Sequence, residues 1–78
     1  MEKPYQLYRG NRLIDSQHSA GRLHDIGQPG DTLVCWDQGE VEVFLWNDHD
    51  KDHYQRYWLP GYVENLHPEV RLTLLLQQ

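Results

Sequence analysis

Two short apolar segments on either side of a Gln-Gly turn constrain this chain more than any other feature. Residues 32–36 and 41–46 are rich in Val, Leu and Trp and flank Gln38 and Gly39. Glycine in so short a connection favours a tight β-hairpin. The hairpin predicts the cross-strand pairs Trp36–Val41, Val34–Val43 and Thr32–Leu45, which together make one apolar core face. The opposite face carries Leu33, Cys35, Glu42, Phe44 and Trp46. We expect another element to cover part of that second face.

The residues before this hairpin predict a smaller hairpin and a helix. Residues 5–14 form two short apolar segments around Gly10 and Asn11, as in a turn between strands. Ser19 is a suitable helix N-cap and Gly27 a suitable C-cap, and the apolar residues between them are spaced as in a helix of about two turns.

The residues after the central hairpin predict a polar loop, a strand, a helical turn and a last strand. The loop covers residues 47–52, and the aromatic residues 54–59 form a strand that Pro60 and Gly61 end. Residues 62–66 have the spacing of one helical turn. Val70, Leu72, Leu74 and Leu76 alternate with other residues and predict a final strand inside the sheet.

These elements give one compact domain over residues 1–78 and a β-rich α+β fold. The short connections favour a small twisted antiparallel sheet or a partly open barrel, with about five to six strands and one short helix. An α+β roll is the main alternative. The predicted core is Trp36, Val34, Val41, Val43 and Leu45, together with Val70, Leu72 and Leu74.

Charge is concentrated in the middle of the chain. The formal net charge is −5, and residues 31–52 alone hold seven acids and one base, a local net of −6. An acidic segment repels phosphate backbones and anionic lipids, so we expect neither direct nucleic-acid binding nor membrane binding. Its natural partners are basic surfaces or cations.

The single cysteine and the absence of a leader-like or membrane-spanning segment indicate a cytoplasmic protein. A chain of 78 residues without disulfides builds only a small core. Burial of one face against a partner, or against a second copy in a homodimer, would add stability.

Residues 48–53, with the sequence DHDKDH, are the strongest candidate for a metal site. Acids at alternate positions resemble the start of a calcium loop, but His53 and Leu59 stand where that loop needs Gly and Glu. His49 and His53 could bind zinc or nickel only on a helix, which no apolar periodicity supports. We therefore expect a solvated hairpin tip and no metal or cofactor.

Catalytic motifs are missing from the sequence. There is no nucleophile elbow, Walker loop or dinucleotide fingerprint. Cys35 lies mid-strand beside acids, which disfavours a thiolate, so we expect it to be structural. We predict that the chain is not an enzyme.

Aromatic residues coincide with the acidic segment and suggest a binding surface instead. Seven of the nine aromatics lie between residues 36 and 62, a region with few Lys or Arg to accompany base stacking. Large aromatic anchors surrounded by acids suit a protein interface. The predicted partner-binding residues are Trp46, Tyr57, Trp58, Glu42, Asp48, Asp50 and Asp52.

The functional expectation is therefore a non-catalytic protein-binding module. It would be a small acidic inhibitor or adaptor that docks on a basic site of a larger protein, such as one that handles nucleic acids. Small acidic inhibitors encoded by phages or mobile elements are similar in size and charge. The alternatives are a cation-binding domain that uses residues 48–53 and a structural homodimer subunit.

Overall fold

The computed structural model describes residues 3–50 and 55–76, with the side chains of 47–50 and 55–57 left out of the description. The elements are β1 (Tyr5–Arg9), β2 (Arg12–Gln17), α1 (Ala20–Ile26), β3 (Thr32–Asp37), β4 (Glu40–Asp50), β5 (Gln55–Gly61), a 3₁₀ helix (Val63–Asn65) and α2 (Pro68–Leu76).

The five strands in the described part of the chain form one antiparallel sheet in the order β2-β1-β3-β4-β5. This confirms a β-rich α+β fold, and the sheet is open, with β2 and β5 at its edges. The register of the central hairpin is as predicted, with Trp36 opposite Val41 and Val34 opposite Val43. Gln38 and Gly39 both have positive φ (51° and 84°), as a two-residue hairpin turn requires.

Helices cover both faces of the sheet and divide the core in two. On the α2 face, Val70 and Leu74 pack with Val34 and Val43. On the α1 face, Leu23 packs with the apolar residues of β1 and β3. The element expected to cover the second face of the hairpin therefore includes α1. Ser19 is the N-cap of α1, although its side chain makes no capping hydrogen bond.

The predicted last strand is wrong, because residues 68–76 form a helix. Pro68 suits the first turn, where its missing N–H costs no hydrogen bond. The His67 ring Nδ1 accepts the Glu69 backbone N–H at 3.3 Å, as a cap would. The buried residues Val70 and Leu74 are four apart, whereas Leu72, Leu75 and Leu76 are exposed. The buried residues of this segment therefore have the spacing of a helix, and the alternation of apolar residues that favoured a strand does not match their burial.

Three smaller predictions also need correction. Leu45, assigned to the core, is exposed like Leu72. The backbone of residues 47–50 continues β4 instead of forming a loop. Pro60 and Gly61 belong to β5, where they pair with Phe44 and Val43. Proline is tolerated at position 60 because β5 is an edge strand and a backbone N–H at this position would point away from β4, so no hydrogen bond of the sheet is lost.

Candidate functional site

Trp46, predicted as a partner anchor, lies in the interior of the domain. Its side chain is only 8% exposed. Its ring packs against His24 at a centroid distance of 5.2 Å and against Trp58, edge to face, at 4.6 Å. Its backbone N–H donates to the Asp31 carbonyl oxygen at 3.0 Å. Trp46 therefore holds α1 against β4 and β5 and presents little surface to a partner.

The structure describes the other predicted partner-binding residues to different extents. Trp58 is half-buried beside Trp46, and its buried indole Nε1 has no hydrogen-bond partner among the described residues. Tyr57, Asp48 and Asp50 are placed by their backbone in β5 and β4, with side chains that are not described. Asp52 lies outside the described residues.

Glu42 is exposed and lines an open groove of about 500 Å³ at the edge of the sheet. One wall is formed by β4 and the other by the chain that leaves β5. The lining residues are Val41, Glu42, Val43, Phe44, Pro60, Gly61, Tyr62, Val63 and Glu64. Its volume falls within the roughly 300–1,000 Å³ typical of binding clefts.

The groove lies where β5 ends beside β4. Two of its β4 residues, Val43 and Phe44, pair with Gly61 and Pro60 of β5, and the other two, Val41 and Glu42, lie beyond the end of that pairing. The chain then departs through Tyr62 into the 3₁₀ helix, whose Val63 packs on the α2-face core.

The groove combines exposed acids with an exposed aromatic residue, but Glu42 is the one predicted partner-binding residue among its described lining residues. Glu42 and Glu64 are exposed acids, and Tyr62 is 70% exposed. Of the described residues that line the groove, none is Lys or Arg. Sequence reasoning missed Glu64, and it placed Tyr62 in a helical turn and among the seven clustered aromatics without naming it as a partner-binding residue. The signal available was Pro60-Gly61, which marks where the chain leaves the sheet.

One acid of the predicted acidic segment is neutralised within the fold. Asp31 is 1% exposed, and its carboxylate accepts hydrogen bonds from Arg9 Nε and Nη2, each at 2.9 Å. It also accepts the Gln28 backbone N–H at 2.9 Å. The hydrogen bond to Asp31 raises the pKa of Arg9. Asp31 therefore holds β1 to the turn before β3 and contributes little to the exposed acidic surface.

Cys35 and Tyr5 share a second, smaller cavity of about 220 Å³ on the α1 face. Burial raises the pKa of the Cys35 thiol. The negative charges of Glu42 and Asp37 raise this pKa further, whereas the hydrogen bond with Tyr5 lowers it. The pKa of Tyr5 is raised in turn, chiefly by Cys35. A thiol with a raised pKa stays protonated at neutral pH and is a poor nucleophile.

Among the side chains that the structure describes, those of residues 3–46 and 58–76, no three His, Cys, Asp or Glu are grouped as metal ligands would be. The predicted hairpin tip at residues 48–53 falls on positions whose side chains are not described. In the same part of the chain, no helix has the length and apolar character needed to cross a membrane.

Comparisons of this chain with protein families, with curated proteins and with solved structures give no match.

Proposed function

We propose that this chain is a non-catalytic protein-binding module that docks its acidic groove on a basic surface of a larger protein. The observation that carries the proposal is the composition of the groove: the acids Glu42 and Glu64 line it together with the exposed Tyr62, and none of its described lining residues is basic. Tyrosine is a frequent energetic anchor in interfaces, and acids around it steer a basic partner into place.

The basic site of a protein that handles nucleic acids fits this chemistry. Such a site presents Lys and Arg to phosphates. An acidic module that occupies it competes with the nucleic acid, which would make the chain an inhibitor of that protein. The groove offers the carboxylates of Glu42 and Glu64 together with apolar surface that includes Val41 and Val63.

Affinity capture with matched variants tests the proposal. The chain is immobilised and exposed to lysate, and captured proteins are identified by mass spectrometry. Glu42→Gln and Glu64→Gln each remove one groove charge, whereas Asp25→Asn removes an exposed charge from α1 as the control. We expect one basic protein to be retained by the wild type and the control and reduced with both groove variants. A partner retained equally by all four proteins, or an acidic partner, would contradict the proposal.

The exposed leucines of α2 favour self-association as a second proposal. Leu72, Leu75 and Leu76 are 56%, 60% and 78% exposed and lie three and four residues apart, so they share a side of the helix. A stripe of this kind suits a two-fold interface between copies. Sedimentation velocity should then show a dimer that Leu72→Gln with Leu75→Gln dissociates. A wild-type monomer at all concentrations tested would rule it out.

A further inference from the structure

The smaller cavity on the α1 face is lined mainly by aromatic and apolar side chains. Its volume is about 220 Å³, and three aromatic residues, Tyr5, Phe44 and Trp58, line it together with Cys35, Glu42 and two aliphatic side chains. Clefts that hold whole drug-sized ligands measure roughly 300–1,000 Å³. This cavity is smaller than those clefts and therefore suits one compact chemical group.

The register of the sheet brings these side chains to one face. Tyr5 lies opposite Cys35, and Cys35 lies opposite Glu42, so the three side chains form a row across β1, β3 and β4. Phe44 is two residues beyond Glu42 on β4 and therefore points to the same face. Trp58 lines the cavity from β5. The cavity thus combines aromatic residues from three strands with one carboxylate.

Glu42 is the one charged residue among the described residues that line this cavity. Burial raises the pKa of the Cys35 thiol most, and the charges of Glu42 and Asp37 raise it further. Cys35 in turn is the main cause of the raised pKa of Tyr5. Both groups are therefore uncharged at neutral pH, and the cavity lies in a negative electrostatic potential that attracts a cation.

The lining favours a cation that carries no N–H groups. A lysine ammonium has three N–H donors and an arginine guanidinium has five, and a donor that is buried without an acceptor is costly. The cavity offers few acceptors besides Glu42, because the side chains of Tyr5 and Cys35 hydrogen-bond to each other. A quaternary ammonium group needs no acceptor, and its methyl groups suit apolar walls.

We propose that this cavity binds a quaternary ammonium group, with Glu42 as the countercharge beside the three aromatic rings. Aromatic side chains attract such cations through the negative faces of their rings. Choline-type small molecules and trimethylated lysine side chains both carry this group. The site goes beyond the proposed function and does not depend on the acidic groove, although Glu42 lines both.

Titration of the full chain with choline, followed by ¹⁵N–¹H NMR at constant ionic strength, tests the site. The indole resonance of Trp58 and the amide resonance of Cys35 report on the cavity. The neutral isostere of choline, in which carbon replaces the nitrogen, keeps the shape and removes the charge. Ethanolamine keeps the charge and removes the methyl groups. Acetyl-trimethyllysine-methylamide represents the protein-derived source.

Choline should shift both resonances and bind at least about fivefold more tightly than its neutral isostere and than ethanolamine. Glu42→Gln and Phe44→Leu should each weaken choline binding by about fivefold. Glu64→Gln is the matched control, because it removes a charge from the groove and none from the cavity, and it should leave choline binding unchanged. The tighter ligand of choline and the trimethyllysine compound identifies the source of the group.

Equal binding of choline and its neutral isostere would overturn the proposal, as would an equal loss of affinity in Glu42→Gln and Glu64→Gln. Unchanged resonances at millimolar choline would overturn it as well. Phe44→Leu is compared only if its urea midpoint matches the wild type, and Glu42→Gln, at an exposed position, decides the test otherwise. None of these outcomes bears on the groove, which the capture experiment tests separately.

Discussion

Gly27 lies so close to Trp46 that a single added methyl group should destabilise the fold. Its backbone is in an ordinary extended conformation (φ −63°, ψ 148°) that any residue can adopt. A Cβ atom there would lie 2.7 Å from Trp46 Cζ3 and 3.2 Å from the Leu23 carbonyl oxygen. The tryptophan ring has little room to retreat, because His24 and Trp58 pack against it.

The expected cost of Gly27→Ala follows from overpacking. Forcing an extra methyl into a packed core costs typically about 1–3 kcal/mol. Gly21 is the matched control because it lies in α1 and a Cβ there would meet nothing within 4 Å. Gly21→Ala should stabilise the domain by about 0.5–1 kcal/mol, since alanine is the better helix former.

Urea titration of the three proteins, monitored by tryptophan fluorescence, measures both effects. Gly27→Ala should lower the midpoint and Gly21→Ala should raise it. In thermal melts each kcal/mol corresponds to about 4–8 °C for a domain of this size. If Gly27→Ala matched or exceeded the wild type in stability, Trp46 would not be packed against α1, and the assignment of Trp46 to the interior would be wrong.

Four further substitutions test the core, its exposed control position and the internal polar contacts. Val43→Ala should lower the free energy of unfolding by about 1–3 kcal/mol, whereas the exposed Glu42→Ala should change it by less than about 0.5 kcal/mol; equal losses in urea would contradict the assignment of faces. Asp31→Asn should cost about 1–3 kcal/mol, because a buried acceptor of three hydrogen bonds is altered; an unchanged urea midpoint would show that the contact adds no stability. Stability should fall as pH rises above the ordinary thiol pKa of 9.0, because burial raises the pKa of Cys35 only in the folded state and the unfolded chain loses its proton first. Cys35→Ala should flatten this decline in urea titrations between about pH 8 and 10, and an unaltered slope would exclude Cys35 as its source.

The central hairpin could be predicted from the sequence because its register depends on local chemistry. A two-residue turn fixes which residues pair, and Gly39 supplies positive φ at the required place. The same reasoning failed for residues 68–76, where the leucines match both a strand and a helix. Leucine is a good helix former, and Pro68 at the start of the segment suits a helix N-terminus.

The candidate site was harder to predict because it depends on long-range structure. Alternation placed Trp46 on the second face of the hairpin, but only the positions of α1 and Trp58 make it interior. The pairing of Arg9 with Asp31 joins residues far apart in the chain and has no local pattern. The groove lies where β5 ends opposite Val43 and Val63 of the following 3₁₀ helix packs on the α2-face core, a combination of contacts between distant residues.

The salt dependence of association with a captured partner tests the acidic groove most directly. Stopped-flow rates would be measured from about 0.02 M to 0.5 M salt, a range over which charge screening changes strongly. The association rate constant should fall by about tenfold or more while the dissociation rate constant changes much less. A variant with both Glu42→Gln and Glu64→Gln should associate slowly at low salt and lose most of that dependence. Association that is indifferent to salt, or equal in the wild type and the double variant, would contradict the account.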